Sequence, residues 1–414
     1  MGVLGKEKAM LDKIMNLGHM MTELKDTDIL MEHILTEARK LSNCDAGSIY
    51  KVEENELLFS YTQNETQQEA LPPGMKLVYS NFRMPIDEKS IAGYVAYNAD
   101  VLNIPDVYKL DKKLPYSFNP SYDAKTSYHT QSMLTIPMKT ATGNVIGLLQ
   151  LINSFDSKGN VIPFNDADLP ILTYFTNTAA VALERADMTR SIILRMISMA
   201  EMRDPKETGA HVNRVGAYSA EIYEAWAIKH GKGPNEIQHN KDTLRIAAML
   251  HDVGKVGIAD AILKKPGKLT DEEYNVMKTH PIIGAKLFGD PNSELDQMSR
   301  DIALCHHERW DGRGYPGYVN VKDGSPLPDK VLPNGKAKGM LEDEVTLEAR
   351  IVAIADVFDA LSSRRSYKAA WTEENVYEEL QRSAGSQFDP ELIEIFMSIK
   401  ENLQVIRSKY PDEE

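Results

Sequence analysis

Beyond residue 205 the chain changes character: β-type alternation all but vanishes and one helical repeat of apolar residues follows another. Apolar side chains at three- and four-residue spacing predict helices over 211–229, 241–253, 272–278, 281–288, 293–305, 347–361, 373–383 and 390–402. Stripes of this kind are buried only by packing helix on helix, so residues 204–414 are read as an all-α helical bundle. The exception is 318–344, rich in Gly, Pro, Lys and Asp, which reads as a long loop or hairpin.

The first part of the chain mixes both periods. Helices are predicted over 4–24, 27–41 and 90–99, and strands over 52–61, 76–86 and 101–104. A hairpin is expected from 132–138 and 144–152 through Thr142-Gly143-Asn144. This gives a multidomain chain whose α+β domain, 1–168, has an antiparallel sheet flanked by helices. A long connecting helix, 169–203, then leads into the bundle. Its apolar positions Leu169, Leu172, Phe175, Ala179, Ala182, Ala186, Ile193, Met196, Ile197 and Ala200 suit a two-helix seam, although Arg185, Asp187 and Arg190 interrupt it. Two assignments stay open: a homodimer seam that carries a signal between domains, or a stripe packed on its own domain.

No apolar run approaches the ~18 residues of a membrane span, and the N-terminus lacks a signal-peptide apolar core, so a cytoplasmic protein is expected. Cys44 and Cys305 are far apart and suggest no disulfide framework. A net charge of −14 argues against broad binding to nucleic-acid polymers. A small anionic substrate is still compatible if bound metals supply positive charge locally.

Candidate ligands for such metals lie in the helical part. Residues 306–316 read H-H-E-R-W-D-G-R-G-Y-P: adjacent imidazoles at a helix end, then an Asp-Gly turn. His251-Asp252 offers an N and an O ligand, with His251 on the inward face of its helix. Glu207 and His211 are one turn apart, and His280 sits at a helix junction. Asp356 lies in a very apolar helix, where an unpaired carboxylate is costly, and Asp359 follows one turn later. Any one of these alone reads as a core histidine or a helix-face salt bridge. His230 and His239 read as ordinary surface residues.

Together these blocks resemble the HD-GYP branch of the HD phosphohydrolases. They are R-D-P-K-E-T-G-A-H-V-N-R-V (203–215), H-D-V-G-K-V-G-I (251–258), the 306–316 stretch, A-R-I-V-A-I-A-D-V-F-D-A-L (349–361) and Q-F-D-P (387–390), in the family's order. The resemblance implies hydrolysis of cyclic di-GMP, a bacterial second messenger, to linear pGpG or GMP, or of a mixed cyclic GMP-AMP. It implies His211, His251, Asp252, His280, His306, His307 and Asp356 as ligands of a two- or three-metal centre, usually iron and sometimes manganese. Glu207 matches the acid of the three-metal subset. Lys255 matches a lysine facing the scissile phosphate and, with Asp252, is assigned to catalysis. Tyr315 matches the family-defining tyrosine at the substrate border, where Arg313 is also placed. Arg365 and Lys368 match phosphate-holding residues, in Arg-Ser-Tyr where the family often has Arg-Pro-Tyr.

The earlier domain resembles a GAF domain, a small-molecule sensory module. The carriers are A-G-S-I-Y (46–50), S-I-A-G-Y-V-A (90–96), L-N-I-P-D-V-Y (102–108), S-M-L-T-I-P-M (132–138) and N-V-I-G-L-L-Q-L-I-N (144–153). The cyclic-nucleotide motif of such domains is half present: Asn153 is followed by Ser154, and Phe164 and Asp168 by Leu169. Two assignments stay open: a domain that binds a small-molecule ligand of unknown identity, or one that mediates only folding or dimer contacts.

Phosphodiester hydrolysis suits this residue set. Metals about 3.5–4 Å apart supply a nucleophile at neutral pH and neutralise phosphoryl oxygens. Lys255 stabilises transition-state charge or protonates the leaving 3′-oxygen. Asp359 either orients a ligand from behind or forms a helix-face salt bridge. Glu308 and Asp311 are read mainly as loop-fixing partners of Arg309 and Arg313. The 318–344 stretch is longer than the family's short link, so it either covers the site, with its four lysines as an anion-attracting rim, or is a surface insertion.

Overall fold

The computed structural model describes residues 24–71, 82–201, 209–363 and 371–411, together with Gly18 and Met21. Most of the helix expected over 4–24 and most of the strand expected over 76–86 lie outside these residues. The chain divides into two compact units, Met1–Arg190 and Ser191–Glu414.

The first unit is organised by one antiparallel sheet. Its strands are β1 (Cys44–Glu53), β2 (Glu56–Asn64), β3 (Arg83–Pro85), β4 (Leu102–Ile104), β5 (Met133–Lys139), β6 (Val145–Phe155) and β7 (Val161–Ile162). The order is β3-β2-β1-β6-β5-β4, with β7 beside β6. The strand expected over 52–61 straddles a turn instead. Glu54 and Asn55 both take positive φ, 50° and 65°, the two-residue geometry that lets right-twisted strands double back. The β5–β6 hairpin forms where it was expected.

Helix Thr27–Ser42 starts at Asp26, whose carboxylate accepts the N–H groups of Asp28 and Ile29 (2.9 and 3.1 Å). It ends at Asn43 in the left-handed region. Its Leu30, Ile34, Leu35 and Ala38 pack with Ile49, Leu134, Ile136, Leu149 and Leu151 of the sheet. Leu172, Phe175, Ala179, Ala182, Leu183 and Ala186 of helix Leu169–Glu201 complete this core. Full burial of a Leu or Phe side chain is worth roughly 1.5–3 kcal/mol, which makes this layer the main source of stability in the unit.

Most of the stripe read as a two-chain seam is thus covered by its own domain. Further along the same helix, past Arg190, Ile193 and Ile197 belong to the second unit and pack there with Val212, Met249 and Leu250. A different stripe is exposed: Tyr174, Val181 and Met188, at seven-residue spacing.

The second unit is helical. Its core joins Val215, Tyr218 and Ile222 of Gly209–Lys229, Leu244 and Ala247 of Pro234–Met249, and Ile351, Ala355 and Phe358 of Leu347–Ser362 to Leu392, Phe396 and Leu403. Two boundaries depart from expectation. The helix foreseen over 241–253 starts earlier, at Pro234, and stops at Met249, leaving His251 on the turn beyond. The stretch 390–402 is broken at Ile399 into Pro390–Ser398 and Lys400–Lys409.

Residues 318–344 fold into two short turns. Leu327 N donates to Tyr318 O and Tyr318 N to Lys338 O (both 2.9 Å), and Leu332 N donates to Lys336 O (2.8 Å). Val319, Val321 and Met340 pack on Ile282, Ala285, Leu304 and Cys305. The insertion is therefore braced against the helices that lead from His280 and into His306.

Candidate metal centre

Five separate segments bring ligand-type atoms together. The turn after Pro234–Met249 carries His251 and Asp252, His280 opens His280–Leu287, and His306 and His307 follow Glu294–Cys305. His211 lies in the first turn of Gly209–Lys229, and Asp356 in Leu347–Ser362. They fall into two groups, Asp252–His280–His306–His307 and His211–His251–Asp356, with the donor atoms of each group all within 4.8 Å of one another. Asp252 joins the groups: Oδ1 is 3.1 Å from His280 Nε2 and 3.6 Å from His306 Nε2, while Oδ2 is 3.2 Å from His251 Nε2. On the other side, Asp356 Oδ1 lies 3.8 Å from His211 Nε2 and 3.9 Å from His251 Nε2.

The rings are aimed from behind. His251 Nδ1 lies 2.8 Å from Ala248 O, His280 Nδ1 2.8 Å from Met277 O, and His306 Nδ1 3.0 Å from Ile302 O. His211 Nδ1 meets Asp359 Oδ2 at 2.8 Å. A carbonyl or carboxylate accepts only from N–H, so each ring carries its proton on Nδ1 and turns an Nε2 lone pair inward. Nε2 of His280, Nε2 of His306 and Oδ1 of Asp252 are buried without a hydrogen-bond partner. Such atoms cost roughly 1–3 kcal/mol each unless a ligand satisfies them. The donor set, imidazole nitrogens plus carboxylate oxygens, suits iron, manganese or zinc.

Electrostatics agree with ligand duty. Burial pushes the Asp252 carboxyl upward, but the Lys255 ammonium beside it holds it well below the ordinary range. Burial lowers His306, and burial with the neighbouring His306 and His280 lowers His307 further. Both imidazoles stay neutral, the form that binds metal.

Two features explain how the segments meet. At Gly254 an added Cβ would strike the His280 carbonyl and the Gly284 backbone, so only glycine lets the His251-Asp252 turn lie against the His280 helix. Asp359, behind His211, is clamped by Arg214 through Nε (2.5 Å) and Nη2 (2.9 Å). Arg214 also donates to Tyr410 O and Ser363 Oγ, both at 2.9 Å. Arg214 was missed in the sequence, although it lies three residues after His211, on the same helical face.

Around the ligands, Lys255 Nζ sits 2.7 Å from Asp252 Oδ2. The Tyr315 ring stacks on His307, with centroids 4.8 Å apart and planes 26° apart, and Tyr315-Pro316 is a cis peptide. The Arg313 side chain is exposed. Asp311 takes both arms of Arg309, at 3.0 and 2.8 Å, as expected of a loop-fixing pair. Glu308 does not follow that expectation. Its buried carboxyl accepts from Gly317 N and from Met340 N (3.2 Å), tying both ends of the insertion to the histidine pair, and burial pushes it up to about 7. Glu207, Arg365 and Lys368 lie outside the described residues.

Comparison with known proteins gives both halves a family. A GAF domain model matches residues 26–183 and an HD domain model residues 208–361. A cyclic di-GMP phosphodiesterase of Thermotoga maritima is 37% identical over 222 residues, 54% of this chain and 52% of that protein. A cyclic di-GMP phosphodiesterase of Vibrio cholerae is 34% identical over 274 residues, 64% of this chain and 51% of that protein. A 3'3'-cGAMP-specific phosphodiesterase 2 of the same species is 34% identical over 226 residues, 55% and 38%. The chain thus spans about half the length, or less, of the curated relatives it matches. With the H-H-E-R-W-D-G-R-G-Y-P stretch bordering the cluster of ligand-type atoms and both domain models matching, the chain is a GAF domain followed by an HD domain.

Proposed function

We propose that this protein is a metal-dependent phosphodiesterase that opens cyclic di-GMP to linear pGpG, or onward to GMP, under the control of its GAF domain. The observation that carries this reading is the convergence of His280 Nε2, His306 Nε2 and Asp252 Oδ1, buried and without hydrogen-bond partners, beside a second His–His–Asp group. Two or three divalent metals, iron or manganese, would supply Lewis acidity and a nucleophile at neutral pH. His211, His251, Asp252, His280, His306, His307 and Asp356 would hold them, with Glu207 completing a three-metal set.

The remaining chemistry belongs to the protein. Water adds to phosphorus, the P–O3′ bond breaks, and the leaving 3′-oxygen takes a proton. Lys255, 2.7 Å from Asp252, would donate that proton or stabilise the developing charge. Tyr315 and Arg313 border the substrate, and Arg365 and Lys368 hold its phosphates. The cGAMP-specific name of one relative favours a second reading, in which a mixed cyclic GMP-AMP is preferred. No helix among the described residues is long and apolar enough to cross a membrane, in keeping with a cytoplasmic enzyme. The exposed Tyr174, Val181 and Met188 stripe supports a homodimer through the long helix, on a different face from the one first read there.

Timed incubation of reductively prepared, metal-loaded protein with cyclic di-GMP and with 3',3'-cGAMP tests the reading. Linear product and a ratio of rates are expected. Tight binding of either dinucleotide with full metal content and no turnover would instead mark a signalling module. His306→Ala should lose metal and activity together, and Glu207→Ala should remove about one metal per chain by elemental analysis. Unchanged metal content in either variant refutes that ligand assignment.

A further inference from the structure

A second tyrosine stands at the outer end of a row of side chains that starts at the histidine cluster. Tyr274 lies on the short helix Asp271–Met277, whose start is fixed by the Thr270–Glu273 capping box and by Lys265, 2.6 Å from Glu273. One turn later Lys278 donates its N–H to Tyr274 O (2.9 Å). The Lys278 Nζ lies 4.5 Å from the Tyr274 ring centroid and 5.2 Å from that of Tyr315. Tyr315 is itself stacked on His307. A row His307–Tyr315–Lys278–Tyr274 therefore runs from the ligand cluster to the surface, where Tyr274 is 46% exposed.

A tyrosine with a lysine four residues on is ordinary helix-surface decoration. What sets this pair apart is the second ring, which comes from another segment and rests on a ligand-type histidine. An ammonium between two aromatic faces is complementary to an anion between two flat groups, as in a phosphate flanked by two nucleobases. We propose that Tyr274 and Lys278 form an outer subsite for the half of a cyclic dinucleotide remote from the metals. Lys278 adds a further positive charge for the phosphate that is not cleaved, and Tyr274 carries the base next to it. This inference rests on the cyclic-dinucleotide reading above.

The test uses the full-length, metal-loaded protein and the variants Tyr274→Ala, Tyr274→Phe and Lys278→Gln. Four quantities are read: KM and kcat for cyclic di-GMP, equilibrium binding of linear pGpG by calorimetry, metal content, and hydrolysis of bis(p-nitrophenyl) phosphate, which has no nucleobase. Tyr274→Ala and Lys278→Gln should each raise KM about ten-fold and weaken pGpG binding by a similar factor. Metal content and bis(p-nitrophenyl) phosphate hydrolysis should stay at the wild-type level, and Tyr274→Phe should retain most of the affinity. Normal KM and pGpG binding in Tyr274→Ala and Lys278→Gln would overturn the outer subsite while leaving the enzyme reading intact. Failure of the metal-loaded wild type to bind either dinucleotide would overturn the substrate reading itself, and the subsite with it.

Discussion

Asp359 Oδ2 lies 2.8 Å from Nδ1 of His211, and Arg214 donates to both oxygens of the same carboxylate. The pair settles how His211 presents itself. A carboxylate can only accept here, so the proton sits on Nδ1 and the Nε2 lone pair faces Asp356 and His251.

Asp359→Asn should upset that arrangement with little change in volume. If the amide oxygen keeps Arg214, the NH2 group faces His211 and draws the proton over to Nε2. Metal affinity at the His211–His251–Asp356 group should fall by about 10- to 100-fold, while the Asp252 group keeps its metal. Competitive metal titration with elemental analysis checks this, and unchanged stoichiometry and affinity would count against the positioning role.

Gly254→Ala should be far more damaging than its size suggests. The new methyl meets the His280 carbonyl and Gly284 backbone, neither of which can rotate away. Overpacking of this kind costs roughly 1–3 kcal/mol and would push His251 and Asp252 away from His280. Gly233→Ala is the control, since nothing lies within 4 Å of its added Cβ. Thermal melts should show a clear drop for the first variant and a change within about 0.5 kcal/mol for the second.

The first domain should weaken in mild acid through His33. Burial lowers this imidazole below its ordinary value of 6.5, with Glu37 and Glu32 acting the other way and Lys40 adding to the lowering. The unfolded chain therefore takes up the proton first. The stabilisation is fully present above pH 6.5 and is lost as pH falls from there through the lower folded value, by at most about 1.4 kcal/mol per pH unit. Urea titrations of the wild type and His33→Leu between pH 7.5 and 5 should show a steeper loss in the wild type. Parallel pH profiles would remove His33 as the cause.

The clustered histidines were legible because local pattern turns a polar group inward, as at His251, one turn beyond Ala247–Ala248 and two beyond Leu244. What covers an apolar stripe was not legible. The spacing of Leu172, Phe175, Ala179, Ala182 and Ala186 is the same whether a second chain or the domain's own sheet lies opposite, and here it is the latter. Strand β1 escaped notice because its first seven residues are all buried, which erases the alternation that marks a half-exposed strand. Its turn, Glu54-Asn55, lacks the glycine that usually signals a hairpin. Arg365, Lys368 and Glu207 rest on family resemblance alone.

Glu308 was misread for a related reason, and its variant tests the insertion. Arg309 and Arg313 are its close neighbours in sequence, yet its partners are backbone N–H groups 9 and 32 residues away, at Gly317 and Met340. Local reading cannot find a partner that only the folded loop supplies. Glu308→Ala should leave those two N–H groups in a buried setting without an acceptor, at roughly 1–3 kcal/mol each. The insertion should then loosen at both ends, since Gly317 and Met340 are where it leaves and rejoins the helical frame. Limited proteolysis should cut within 318–344 much faster in Glu308→Ala than in the wild type, and hydrogen exchange at Gly317 and Met340 should accelerate. The packing of Val319 and Val321 on Ile282 and Leu304 should slow complete detachment, so the rest of the bundle should stay protected. If cleavage and exchange are unchanged, the loop is held by that apolar contact and Glu308 is not its tether.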